Sequence, residues 1–173
     1  MCIRDRVTIR CSPWDYNHQV LMLGDASHAI VPFYGQGMNS GFEDCSLLDD
    51  FVEKHGEDWD STLHEFNATR IKDANAIASL AVRNFIEMCD KVGDPAFLLR
   101  KKIAAHLHKK YPDHFIPLYS MVTFSHIPYS VAHQEGNKQD ALFEKILALE
   151  GIFENWEENE QVDKIFTEMY IRE

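Results

Sequence analysis

Apolar and polar positions change period along the chain. From Val7 to Cys11 they alternate (Val-Thr-Ile-Arg-Cys), the two-residue repeat of a half-buried strand. Ser12-Pro13-Trp14 follows as a turn. Val20 to Leu23 is a continuous apolar run of strand length, read as a buried strand ending at Gly24-Asp25. Pro32, Gly35 and Gly37 mark a tight loop. From Met38 the period turns helical, with Phe42, Cys45 and Leu48 on one face, and the helix is expected to end near Gly56. A long helix is predicted from about Ser61 to Val92, capped by Asp60 or Ser61, with Thr69 a candidate break. Its expected buried face runs from Leu63 and Phe66 through Ile77 and Ala81 to Val82, Phe85, Ile86 and Met88. Gly93-Asp94-Pro95 ends it. Ala96 to Lys110 reads as a basic amphipathic helix with Phe97, Leu98, Ile103 and Leu107 inward. Pro112 to Tyr129 carries three prolines and is expected to wrap a core irregularly. Helices at Gln139–Leu149 and Ile152–Tyr170 complete the pattern, with Glu154, Glu157, Glu158 and Glu160 as a solvated face. The expected fold class is α/β and helix-dominated.

Composition narrows the functions. The 173 residues are enough for one domain with a real core. Hydrophobic content of 45% and charged content of 26% are ordinary for a soluble globular chain. A net charge of −11 argues against nucleic acid or an anionic membrane surface as partner, since both need basic patches. Cys2, Cys11, Cys45 and Cys89 form no Cys-x-x-Cys pair, which fits reduced thiols and a cytoplasmic location. His106 and His108 stand two apart, diverge on a helix and read as surface residues, so no metal is expected. No apolar run approaches the roughly twenty residues of a membrane span, and no secretory leader pattern is present. Met1-Cys-Ile-Arg-Asp-Arg6 shows no period and is expected to be a non-native start.

Strand end, acidic turn, Gly-rich loop and helix start, in that order from Val20 to Cys45, have a physical use. A helix N-terminus leaves backbone N–H groups unpaired and carries partial positive charge. Glycines let a ligand approach the backbone, so a phosphate or the electron-rich edge of a planar heterocycle suits such a place. Asp25, at the end of the apolar run, can accept ribityl or ribose hydroxyls. Gly35 and Gly37 alone would fit a ligand-free corner equally well.

The whole string is more specific. Gly24-Asp25-Ala26-Ser27-His28, then Pro32, then Gly35-Gln36-Gly37-Met38-Asn39, then Glu43-Asp44 and Leu47, resembles the second flavin-contacting motif of the class A flavin-dependent aromatic hydroxylases. Ile30-Val-Pro-Phe-Tyr-Gly-Gln-Gly-Met-Asn-Ser-Gly-Phe-Glu-Asp-Cys45 is similar to the kynurenine 3-monooxygenase family in particular. The resemblance implies cofactor-binding roles for Gly24, Asp25, Pro32, Gly35, Gln36, Gly37, Met38 and Asn39. It places Pro32 and Phe33 beside the flavin ring, and Pro32, Phe33 and Tyr34 against the substrate. Within Arg83-Asn-Phe-Ile-Glu-Met88, spacing puts Asn84, Glu87 and Met88 on one side of a helix, where residue type alone leaves them a polar edge. The family's matching segment lines the substrate pocket, which implies substrate roles for all three, with Glu87 pairing an ammonium. Pro-Leu-Tyr-Ser-Met-Val-Thr-Phe124 continues the resemblance and implies that Tyr119 donates to the substrate carboxylate, with Tyr129 the second candidate.

The family's activity is implied with the motifs: hydroxylation of L-kynurenine to 3-hydroxykynurenine with FAD, NADPH and O₂, without a catalytic side chain acting as nucleophile. The implied fold is the C-terminal part of a Rossmann-like FAD-binding domain over 7–58 and a helical substrate-capping region over 59–173. The chain contains no Gly-x-Gly-x-x-Gly turn of the kind that opens such folds. It is therefore expected to be an incomplete chain, inactive alone, and of the soluble bacterial type. Two other readings stay open: a class A hydroxylase of another aromatic acid, or a non-catalytic helical binding module.

Overall fold

The computed structural model describes residues 7–171; the suspected non-native start, Met1–Arg6, lies outside them. The chain forms two compact units. One comprises the described chain up to Phe85 with Pro128–Ser130, the other Ile86–Ile127 and the described chain from Val131 on.

The first unit opens on a small antiparallel ladder, β1 (Asp15–Tyr16) and β2 (Val20–Leu21), with Asp15 opposite Leu21 and Tyr16 opposite Val20. This corrects two expectations. Val7–Cys11 forms no ladder and is held by one backbone bond, Ile9 N–H to the Ala29 carbonyl at 2.8 Å. The apolar run from Val20 pairs over only two residues, and Val20 is 59% exposed. An apolar run becomes a buried strand only where neighbouring strands cover it, and among the described residues β1 alone pairs with it. Instead of a plain turn, Asp25–His28 winds into one helical turn, α1.

α2 (Gly37–His55) ends at Gly56 as expected, and α3 (Trp59–Ile86) carries the core-facing stripe. The cap of α3 lies earlier than expected: Asp58 accepts the Ser61 N–H and hydroxyl at 3.1 and 2.7 Å. α3 runs unbroken through Thr69, among the good helix formers Ala68, Arg70 and Ala74. Its buried face holds only as far as Ala81. Val82, Phe85 and Ile86, expected inward, are exposed. Trp14, Phe66 and Ala74 form the apolar centre of the unit, with Leu47, Leu48 and Phe51 of α2 packed around it.

The second unit begins with a π-helical turn, Glu87–Lys91. Asp94 then caps α4 (Pro95–Lys110) by accepting the Ala96 N–H at 2.9 Å. Leu99, Ile103 and Leu107, four apart, make the buried row; Leu98, expected inward, stands one step off it and is exposed. The aromatic stretch is not wholly irregular, for α5 (Leu118–Phe124) forms within it. α6 (Tyr129–Leu147) starts ten residues before the expected Gln139, because its first turns are mostly polar and gave no apolar period. The last predicted helix is two, α7 (Ile152–Asn155) and α8 (Glu160–Tyr170), the second capped by the Asn159 side chain. The core joins Leu107, Phe115, Leu142, Ile146, Ile152 and Phe166. Tyr111 and Tyr170 stack against Phe166 at 4.6 and 4.9 Å between ring centroids.

Candidate cofactor site

The site is built outward from a buried carboxylate in the first unit. Asp44, on α2, is fully buried. Its Oδ2 accepts the Gly24 N–H at 2.9 Å and lies 2.6 Å from His28 Nε2. Its Oδ1 accepts Nε–H of Arg70, which is also fully buried on α3. Arg70 Nη2 donates to the Ser40 carbonyl and hydroxyl at 2.9 and 2.8 Å, and Nη1 lies 2.9 Å from Glu43 Oε2. Burial would raise the Asp44 carboxyl. The hydrogen bonds from His28 and Arg70, the Arg70 charge and the Gly24 N–H outweigh it and hold the group below the usual carboxylate range. Trp14 stacks on the His28 ring at 5.1 Å between centroids.

On the outer side of this network lies an open cleft of about 750 Å³, lined among others by Leu23, Gly24, Asp25, Ile30, Pro32, Gly35, Gly37 and Met38. Gly24 and Gly35 have φ of 57° and 70°, a region that favours glycine, and a Cβ added to either would meet nothing within 4 Å. Gln36 is the N-cap of α2 and makes no side-chain cap bond. Gly37 and Met38, the first residues of α2, line the cleft, so the positive end of the helix borders it. Met38 and Phe42 offer exposed apolar surface at its edge. An exposed acid, an uncapped helix start, bare backbone and apolar side chains fit the ribityl chain and planar ring of a flavin.

Six of the eight residues expected to bind cofactor (Gly24, Asp25, Pro32, Gly35, Gly37 and Met38) line this cleft. Gln36 and Asn39 do not. The buried Gln36 Oε1 accepts Asn39 Nδ2–H at 2.9 Å and the Tyr129 hydroxyl at 3.2 Å, so Gln36 braces the loop from within and the exposed Asn39 is tied to it. Asn84 Nδ2 donates to the Phe33 carbonyl at 2.7 Å, and Phe33 packs on Phe85 at 4.3 Å between centroids. The end of α3 thus holds the loop through Phe33, with Tyr34 half-buried next to it. Glu87, Met88 and Tyr119 belong to the second unit. Glu87 opens the π-helical turn and is half-buried; Met88 and Tyr119 are exposed, with Tyr119 edge-on to Phe124 at 6.1 Å.

Sequence reasoning quoted His28 and Asp44 as parts of the motif without giving them work, and passed over Arg70 and Trp14. Arg70 carried a readable signal: an arginine on the same helical stripe as Phe66, Ala74 and Ile77 must meet a buried acid or destabilise the fold. Tyr129, the second candidate for the substrate carboxylate, is buried and points at Gln36; burial, with Glu43 and Asp73 nearby, raises its hydroxyl pKa. Among the described residues, no group of His, Cys, Asp or Glu is placed to hold a metal, and no helix is long and apolar enough to cross a membrane. Cys11, Cys45 and Cys89 are free thiols.

Residues 5–77 match the FAD binding domain family. That match takes in the elements that line the cleft and supports FAD as the group the cleft holds, in a helix-dominated chain. The chain is 48% identical over 92% of its length to the kynurenine 3-monooxygenase of Flavobacterium psychrophilum, and 46% identical over 93% to that of Christiangramia forsetii. It is 42% identical over 82% of its length to the kynurenine 3-monooxygenase of Caenorhabditis elegans. The chain spans 36% of each bacterial relative and 31% of the nematode one. The chain is thus similar, over most of its length, to about a third of proteins named kynurenine 3-monooxygenase, the resemblance its motifs carry.

Proposed function

We propose that the protein to which this chain belongs hydroxylates L-kynurenine at the ring position next to the amino group, giving 3-hydroxykynurenine, with FAD, NADPH and O₂. One observation carries the reading: the loop expected to meet the flavin and the open cleft at the uncapped start of α2 coincide in Gly24, Asp25, Pro32, Gly35, Gly37 and Met38. FAD, when bound, supplies the redox chemistry. The chain's own residues bind, orient and exclude water. The Asp25 carboxylate accepts hydroxyls of the ribityl chain. The N–H groups at Gly37–Asn39 would hold the electron-rich edge of the ring. Pro32, Phe33 and Tyr34 wall the substrate, and Asn84 fixes that wall through the Phe33 carbonyl. Glu87 pairs with the substrate ammonium, Tyr119 donates to its carboxylate and Met88 adds apolar contact. No side chain serves as nucleophile.

In this reading 7–58 completes a Rossmann-like FAD-binding domain and 59–173 caps the substrate. The protein works in the cytoplasm on a small-molecule substrate, with neither nucleic acid nor membrane as partner. Glu87→Gln in the complete protein tests the substrate assignment. Losing a charge-assisted bond is expected to raise KM for L-kynurenine about tenfold or more, with kcat changed less. An unchanged KM removes Glu87 from the pocket.

A further inference from the structure

We infer that Arg70 is a positioning residue for the flavin: through Ser40 and Asp44 it fixes the two walls of the cleft relative to each other. The inference rests on the flavin reading above. Arg70 is fully buried and lies outside the cleft lining, so it does not act by contact with a ligand. Its guanidinium spans one face of α2 at Ser40, Glu43 and Asp44, residues three and four apart. Asp44 relays this grip to the opposite wall through the Gly24 N–H. The walls are in close contact there, since a Cβ on Gly41 would lie 3.6 Å from the Gly24 Cα. One planar fork thus sets both the start of α2 and the backbone that presents Asp25. A buried ion pair is a costly way to fill a core compared with hydrocarbon of equal volume, and its return is a fixed geometry. Lysine keeps the charge but cannot bond Asp44 and Ser40 in one plane.

The test uses the complete protein with Arg70→Lys, and Leu142→Ala as a variant weakened elsewhere. FAD affinity is read by titration of flavin fluorescence, and the Gly24 bond by its amide proton shift. In Arg70→Lys, FAD is expected to bind about tenfold more weakly, with the Gly24 amide proton moved upfield. Leu142→Ala is expected to change neither readout, although it lowers stability more. If Arg70→Lys leaves affinity or the Gly24 resonance as in the parent chain, the inference is overturned. If Arg70→Lys does not fold, Ser40→Ala decides, with about threefold weaker binding expected and unchanged binding overturning it. If the complete parent protein binds no FAD, the flavin reading fails separately. The clamp then stands or falls on the Gly24 resonance alone.

Discussion

The two units solve the problem of a small core differently. Among the described buried polar and charged residues, Ser27, His28, Gln36, Ser40, Asp44, Thr62, Arg70 and Asp73 belong to the first unit and only Gln139 to the second. The second unit packs hydrocarbon and aromatic rings, with Phe115, Phe143, Phe166 and Tyr170 edge-on or stacked. Dispersion and burial stabilise such a core without specifying the position of any polar group. A core built around Arg70 and Asp44 is less forgiving: each donor must meet its acceptor, and the backbone carrying them is placed by that demand. The unit that holds the open cleft is the one with the demanding core.

Breaking the charged core should have the largest effect. Arg70→Met leaves Asp44 buried beside His28 without its cation, and about 3–5 kcal/mol of stability should go. Phe166→Ala removes a fully buried ring from the hydrocarbon core and should cost a similar 3–5 kcal/mol through its cavity. The two should differ in what rescues them. Adding Asp44→Leu to Arg70→Met should restore part of the lost stability, because no uncompensated charge remains. Urea unfolding of the single and double variants measures this. A double variant less stable than Arg70→Met would show that packing, not charge, dominates at this position.

Acid should separate the units next. The carboxyl of Asp44 is held below its ordinary 3.8 in the folded chain. Its stabilising contribution is therefore complete above about 3.8 and is lost as pH falls through the lower folded value. The groups facing it are His28 from α1, Arg70 from α3 and Glu43 from α2. Among the described buried residues of the second unit there is no carboxylate. Trp14 is buried against His28, whereas Trp156 packs on the second core. With single-tryptophan variants, fluorescence of Trp14 should change at higher pH than that of Trp156 on acidification. Asp44→Asn should flatten the Trp14 profile in that window.

The same contrast explains what the sequence made legible. α2, α4 and most of α3 follow from apolar period and caps, which are local signals. The tight loop at Pro32, Gly35 and Gly37 was legible because its glycines and proline act on their own backbone, whereas the flavin assigned to it came from the resemblance of the whole string. The failures lie where a partner distant in sequence decides. Val7–Cys11 and Val20–Leu23 carry strand patterns, yet among the described residues only β1 and β2 pair. Asp44 and Arg70 are 26 positions apart, and nothing local to either announces the other. Tyr129 reaches Gln36 across 93 positions, so its commitment to the loop is invisible to spacing arguments. The early start of α6 was hidden for a different reason: its polar first turns carry no stripe to read.

Glycine use sharpens the comparison at the smallest scale. In the first unit Gly24 and Gly35 supply a backbone conformation, as Gly151 does in the second. Gly136 of the second unit supplies room instead: inside α6, a Cβ there would fall 2.8 Å from Leu118 Cδ2 and 3.1 Å from Cδ1. Alanine in a helix interior is favoured over glycine by about 1 kcal/mol. Leu118 cannot simply retreat, because its backbone N–H donates to Gln139 Oε1 at 3.1 Å and its side chain must turn instead. An off-rotamer turn costs about 0.5–1.5 kcal/mol, so Gly136→Ala should leave stability within about 0.5 kcal/mol of the parent chain. Gly136→Ala made in a Leu118→Ala background should instead show the full helical gain. Thermal unfolding of the four chains in this cycle measures the coupling. If Gly136→Ala alone gains as much as in the Leu118→Ala background, the second core yields to an added methyl at no cost. The contrast in rigidity drawn between the two units would then be wider than their polar groups alone imply.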